Sequence, residues 1–127
     1  MLDHVAIPVR DLEASRKFYE PLFEGLGAKV VMEWPGLALF GTDDGMVALR
    51  ESEQVTPLHI AFRTDRAGVD SFHETALAAG ASDNGSPGVR PDLHEHYYAA
   101  FVHDPDGHNI EAVCHQPGCA SCICICS

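Results

Sequence analysis

Cationic side chains are scarce in this chain. Its 127 residues carry 8 Lys plus Arg against 19 Asp plus Glu, for a formal charge of -11. A surface this acidic repels polyphosphate, which argues against nucleic acid as a partner. Long apolar runs are missing as well: no stretch approaches the roughly 20 residues that span a bilayer, and the first residues lack a basic region followed by an apolar core. A cytoplasmic location without membrane attachment is the expectation. Cysteine is absent until Cys114, and Cys119, Cys122, Cys124 and Cys126 then crowd the last residues. A disulfide framework spreads its cysteines to close loops, so none is expected here. Neither a glycine-rich phosphate loop nor a Ser-His-Asp arrangement can be found.

What is there is a repeat. LDHVAIPVRD at 2–11 and PLHIAFRTD at 57–65 each place His-x-Ala on a strand and an aspartate after it. Asp11 and Asp65 are N-caps for two helices. The first runs from Leu12 to about Gly25, with Leu12, Tyr19, Leu22, Phe23 and Leu26 near one face and Pro21 expected to kink it or open its last turn. The second turns Val69, Phe72, Ala76 and Leu77 inward and ends at Gly80. Three strands follow each helix: 27–34, 36–41 and 45–51 in the first half, then a ragged strand over 81–90 and a hairpin of 97–103 with 108–115 in the second. The last two strands turn through Thr42-Asp43-Asp44-Gly45 and Asp104-Pro105-Asp106-Gly107 respectively. The chain is therefore expected to be α+β, a single domain of two βαβββ modules, 1–56 and 57–115, followed by a cysteine-rich tail, 116–127, with no assigned role.

Period 2 puts His4, Ala6 and Pro8 on one side of their strand and Val5, Ile7 and Val9 on the other. His59, Ala61 and Arg63 share a side in the second copy. The bulky set suits packing against a helix, whereas a histidine beside a methyl group leaves room for a cavity. Four residues past the turn glycine of the second half stands Glu111, flanked by Ile110 and Ala112; the same count in the first half reaches Leu49. Neutral imidazole with carboxylate is a ligand set for zinc, iron, manganese or nickel. His4, His59 and Glu111 are thus the candidate ligands, and Glu51 is the remaining carboxylate on the face of Leu49. Tyr97 and Tyr98 are candidates to orient a substrate oxygen, one of them facing the cavity; Arg63, His94 and Phe101 are candidate substrate contacts. His94 and His96 have His-x-His spacing in a loop, and His73, His103, His108 and His115 are expected at the surface.

Leu-Asp-His-Val-Ala at 2–6, Leu-His-Ile-Ala-Phe at 58–62 and Phe-Val-His-Asp-Pro-Asp-Gly-His-Asn-Ile-Glu at 101–111 resemble the vicinal oxygen chelate superfamily, which includes glyoxalase I, bleomycin- and fosfomycin-resistance proteins and extradiol dioxygenases. The resemblance covers residues 1 to about 115. It implies paired modules forming a cupped mixed sheet with helices outside, and one divalent metal per site held by His4, His59 and Glu111; Glu111, Tyr97 and Tyr98 are the candidate catalytic residues. Glyoxalase I enzymes usually add a fourth ligand, commonly glutamate, on the last strand of the first module, where the count here gives Leu49. The implied activity is lyase or isomerase chemistry on a small substrate chelated through two oxygens; an iron or manganese dioxygenase and a non-catalytic resistance protein are the alternatives. Small members commonly dimerise, and uncovered sheet edges point the same way, so a homodimer is expected.

Overall fold

A computed structural model describes residues 1–118, and the cysteines from Cys119 onward lie outside the described residues. The fold is α+β, two βαβββ modules, with compact units dividing between Pro57 and Leu58. The first contains β1 (His4–Val9), α1 (Leu12–Gly25), β2 (Lys29–Trp34), β3 (Leu37–Thr42) and β4 (Gly45–Glu51). The second contains β5 (His59–Arg63), α2 (Arg66–Ala78), β6 (Ser82–Val89), β7 (Tyr98–His103) and β8 (Asn109–Cys114). Each module is one four-stranded mixed sheet, ordered β1-β4-β3-β2 and β5-β8-β7-β6. The first strand of each pairs in parallel with the last, and the other pairs are antiparallel.

The helices begin and end as the sequence grammar requires. Asp11 accepts the Ala14 N–H at 3.1 Å and Asp65 accepts the Gly68 N–H at 2.7 Å, each satisfying a donor that the helix itself cannot. At the other ends Gly27 and Gly80 adopt φ of +82° and +100°, a left-handed turn that suits glycine. Through it Ala28 and Ala81 bond back to Phe23 and Ala76. Pro21 interrupts nothing: it lies inside α1 on the exposed side, where only one ladder bond is forfeited.

In the first unit Ile7, Val9, Ala38, Phe40 and Leu49 are buried together with Phe18, Tyr19, Leu22 and Phe23 of α1. Tyr19 stacks on Phe23 at 5.2 Å, and Phe23 meets Phe40 at 5.0 Å. In the second, Val69, Phe72 and Ala76 of α2 are buried, as are Ala100, Val102, Ile110 and Ala112 of β7 and β8. Leu77, expected inside, is exposed, and its place on the buried face goes to His73. That histidine is no surface residue: its Nε2 lies 2.8 Å from Asp83 Oδ1 on β6, which makes its burial tolerable. At one sheet edge β2 shows its apolar side chains, Val30, Val31, Met32 and Trp34 all being exposed. Among the described residues no helix is long and apolar enough to cross a membrane.

Strand register corrects one equivalence between the modules. His4 pairs with Met46 and Ala6 with Ala48, while His59 pairs with Asn109 and Ala61 with Glu111. The counterpart of Glu111 is therefore Ala48, not Leu49. The glycine count misleads because the hairpins differ. The β3–β4 turn closes at Thr42 with Gly45, so that glycine already belongs to the strand. The β7–β8 turn closes at His103 with Asn109, leaving Gly107 two positions short of it. Leu49 pairs with Ile7 and is fully buried with the α1 core. An unpaired carboxylate there costs several kcal/mol, so Leu49→Glu is expected to lose more than about 3 kcal/mol in urea unfolding. Ala48→Glu should lose less; the reverse order would show the register to be wrong.

Candidate functional site

Glu111 occupies the middle of β8 with Ala61 of β5 on one flank and Phe101 of β7 on the other. It is 1% exposed. A carboxylate so placed must be compensated, and two groups of the same module do it. The Nε2 of His59 lies 2.8 Å from Oε1. The Tyr97 hydroxyl, just ahead of β7, donates to Oε2. Burial, the hydrogen bond to Glu111 and the negative carboxylate together push the Tyr97 hydroxyl up to about 12, against the opposing pull of Arg90. Tyr97 thus keeps its proton throughout the neutral range and holds Glu111 by one oxygen while His59 holds the other.

The register that permits this is set by the turn before β8. Asp104 Oδ1 accepts the N–H groups of Asp106 at 2.9 Å and His108 at 2.8 Å. His108, expected at the surface, is fully buried, and its Nδ1 accepts the Leu58 N–H at 3.0 Å. The Asn109 N–H donates to the Leu58 carbonyl at 2.8 Å. Leu58 is fastened twice, so His59 enters β5 two positions from the partner of Glu111. Asp104, Asp106 and His108 have ligand-capable atoms within 4.8 Å of one another. Their hydrogen bonds are those of a polar turn that fixes two strands.

The other sequence candidates divide. Phe101 shares the Glu111 face, its ring 6.3 Å from that of His59. Arg63 is exposed on the His59 side of β5. Tyr98 does not join them: alternation carries it to the opposite face, where its hydroxyl donates to Asp70 of α2 at 2.5 Å and Arg66 lies 4.7 Å over its ring. Its hydroxyl too is pushed up to about 12, chiefly by burial and then by Asp70. His94 stands edge-on against the Tyr97 ring at 5.4 Å. It stacks on His115 at 5.1 Å, Nε2 to Nδ1 at 2.9 Å. Because the His96 backbone N–H donates to His94 Nδ1, Nε2 of His94 carries the proton given to His115. The His96 ring turns to its neighbour, with Nε2 3.6 Å from Glu95 Oε1.

His4 lies in the first unit with its imidazole exposed, and its Nδ1 is 2.7 Å from Asp3 Oδ1. A carboxylate on Nδ1 leaves Nε2 as the acceptor nitrogen. Glu51, the spare carboxylate, accepts the Leu12 N–H at 3.0 Å and so serves the start of α1. One residue escaped the sequence reading: Arg90, whose guanidinium lies 5.5 Å over the Phe101 ring. Only its place ahead of the Tyr97 loop could have drawn attention to it.

The raised tyrosine values give a signed pH effect. With folded values near 12 against 10 unfolded, the stability supplied by these hydroxyls is complete below pH 10 and is lost as pH rises through 12. Tyrosinate absorbance should show two of the three tyrosines titrating near 12 in the folded protein. Tyr97→Phe should remove one of those two titrations.

Comparison with known proteins agrees with this architecture. Residues 1–112 match the model of the Glyoxalase/Bleomycin resistance protein/Dioxygenase superfamily. A glyoxalase/bleomycin resistance protein from Albidiferax ferrireducens T118 superposes with a TM-score of 0.80 at 27% identity, over 89% of this chain and 98% of that one. The fosfomycin resistance protein FosX from Mesorhizobium loti does so with 0.69 at 27% identity, over 89% and 90%. Lactoylglutathione lyase from Agrobacterium tumefaciens, 22% identical over 89% and 92%, shares the fold with a TM-score of 0.69. A family match over nearly the whole described chain, together with the paired modules, means that this protein belongs to the Glyoxalase/Bleomycin resistance protein/Dioxygenase superfamily.

Proposed function

We propose that this protein is a metal-dependent lyase or isomerase of the glyoxalase type, acting on a small substrate bound through two oxygens. His4, His59 and Glu111 are the proposed ligands of one divalent ion, zinc, nickel, manganese or iron. The observation that carries the reading is the buried Glu111 carboxylate with His59 Nε2 at 2.8 Å. Ligands bound at about 2.0–2.2 Å and roughly right angles to one another lie about 3 Å apart. The pair is therefore spaced as two ligands of one ion, which would replace the proton between them. Asp3 on His4 Nδ1 is the kind of outer partner that readies Nε2 for a metal.

The bound ion would supply Lewis acidity to a substrate carbonyl or hydroxyl. The rest falls to the chain. Tyr97 donates to Oε2 of Glu111 and so fixes the orientation of the carboxylate. Glu111 is the proposed group to accept a proton from substrate and return it. Phe101 supplies an apolar wall beside His59, and Arg63 and His94 are proposed to meet the outer parts of the substrate. Ala48 at the position matching Glu111 fits a set of three protein ligands, which leaves positions open to substrate oxygens.

The exposed apolar side chains of β2 support self-association, and we propose a homodimer. Protein purified without added metal should contain about one divalent ion per site, and His59→Ala should lose it while the circular dichroism of the fold persists. Unchanged metal content in that variant would reject the ligand set. Iron would direct attention to oxygen chemistry, and zinc or nickel to a lyase or isomerase. Mixing His4→Ala with Glu111→Ala protein should restore metal binding if a dimer shares its ligands between chains. No recovery would mean that each chain holds its own.

A further inference from the structure

We infer that Arg90 is an anion-recognition residue, and that the substrate held at His59 and Glu111 carries a further negatively charged oxygen group, a carboxylate or phosphate ester. The inference rests on the site reading above for where the remainder of that substrate lies. Arg90 is half-buried, with its guanidinium over the face of Phe101. Phe101 stands directly opposite Glu111 in the β7–β8 ladder, so the cation overlies the same face as the carboxylate. Two glycines of β6 make room for it. A Cβ on Gly85 would come within 3.2 Å of Nη2, and one on Gly88 within 3.1 Å of Nη1. The main chain is fixed by the loop that carries Tyr97: the Arg90 N–H donates to the Tyr97 carbonyl at 2.7 Å, and the Arg90 carbonyl accepts from Leu93 at 3.0 Å.

The partner of this guanidinium is neutral. Nη2 donates to the Ser86 carbonyl at 2.8 Å, and among the described residues no carboxylate is paired with Arg90. The contrast with Arg16 is sharp, since that side chain is paired with both Glu20 and Glu33. A pre-positioned fork of N–H donors whose hydrogen-bond partner is a neutral carbonyl also matches carboxylate or phosphate oxygens. Cation and candidate metal ligands would then take opposite ends of one small molecule.

Calorimetry on the metal-loaded protein tests this with three ligands sharing a hydroxyketone: neutral dihydroxyacetone, its phosphate ester, and 5-hydroxylevulinate, which bears a carboxylate. The wild type should bind at least one anionic ligand about tenfold or more tightly than dihydroxyacetone. Arg90→Gln should abolish that preference, and Arg90→Lys should keep part of it. The anion whose affinity depends more on Arg90 identifies the group. Equal affinities for the three ligands in the wild type would overturn the inference, as would an equal loss for all of them in Arg90→Gln. If dihydroxyacetone binds to no form, the chelation reading fails separately, and inorganic phosphate titrated into metal-free protein decides about Arg90. Weaker phosphate binding by Arg90→Gln than by the wild type is then expected; equal or absent binding overturns the proposal.

Discussion

A carboxylate at 1% exposure in the middle of a strand is the constraint on which the second module depends. Glu111 cannot be buried without donors, and the module supplies one to each oxygen, His59 to Oε1 and Tyr97 to Oε2. Neither donor comes from a neighbouring position in the chain. His59 arrives because β5 runs parallel to β8, an arrangement that needs the crossover through α2. Tyr97 arrives because β7 turns back on β8 through the Asp104–His108 turn. Slipping either ladder by one residue would move the side chains of that strand to the other face and leave the carboxylate unpaired. The buried His108 resists such a slip, binding the backbone of Leu58 from within the turn.

The same framework shows how two modules built on one backbone plan can differ at a single strand position. Both begin with His-x-Ala, both cap a helix with aspartate, and both end that helix on a left-handed glycine. Their sheets have the same strand order. At the position matching Glu111 the first module has Ala48, and its core beneath α1 is an aromatic cluster of Phe18, Tyr19, Phe23 and Phe40. The second helix packs with smaller residues and one buried histidine, paired with Asp83. Shared backbone geometry with divergent side chains is what lets a superfamily of this kind vary its chemistry without changing its fold.

Adjacent tyrosines show how finely the face of a strand assigns roles. Tyr97 and Tyr98 are consecutive, both have hydroxyls pushed up to about 12, and both bond a carboxylate. Yet one bonds Glu111, and the other bonds Asp70 of α2 beneath Arg66. A raised value by itself marks burial beside a negative charge; the element that bears the carboxylate is what distinguishes the two tyrosines.

Much of this could be read from the chain directly. Repeated His-x-Ala, the helix caps, the positions of Gly27 and Gly80 and the Asp-Pro-Asp-Gly turn are local signals, because caps and turns are decided by a few neighbouring φ/ψ choices. Period 2 placed His59 and Glu111 on strand faces away from the helix side, since alternation follows from the pleat alone. Counting past a glycine gave Leu49 in place of Ala48, because turn length is settled by the hairpin closing and not by the glycine. His73 and His108 were expected outside because their burial depends on partners far along the chain, Asp83 and the Leu58 backbone. The choice between Tyr97 and Tyr98, and the seat of Arg90 over Phe101 between two glycines, likewise required the strands to be assembled. Sequence determined the elements and the chemistry they could carry; tertiary structure alone decided which of those groups meet, because each meeting is a contact between strands that the chain order does not specify.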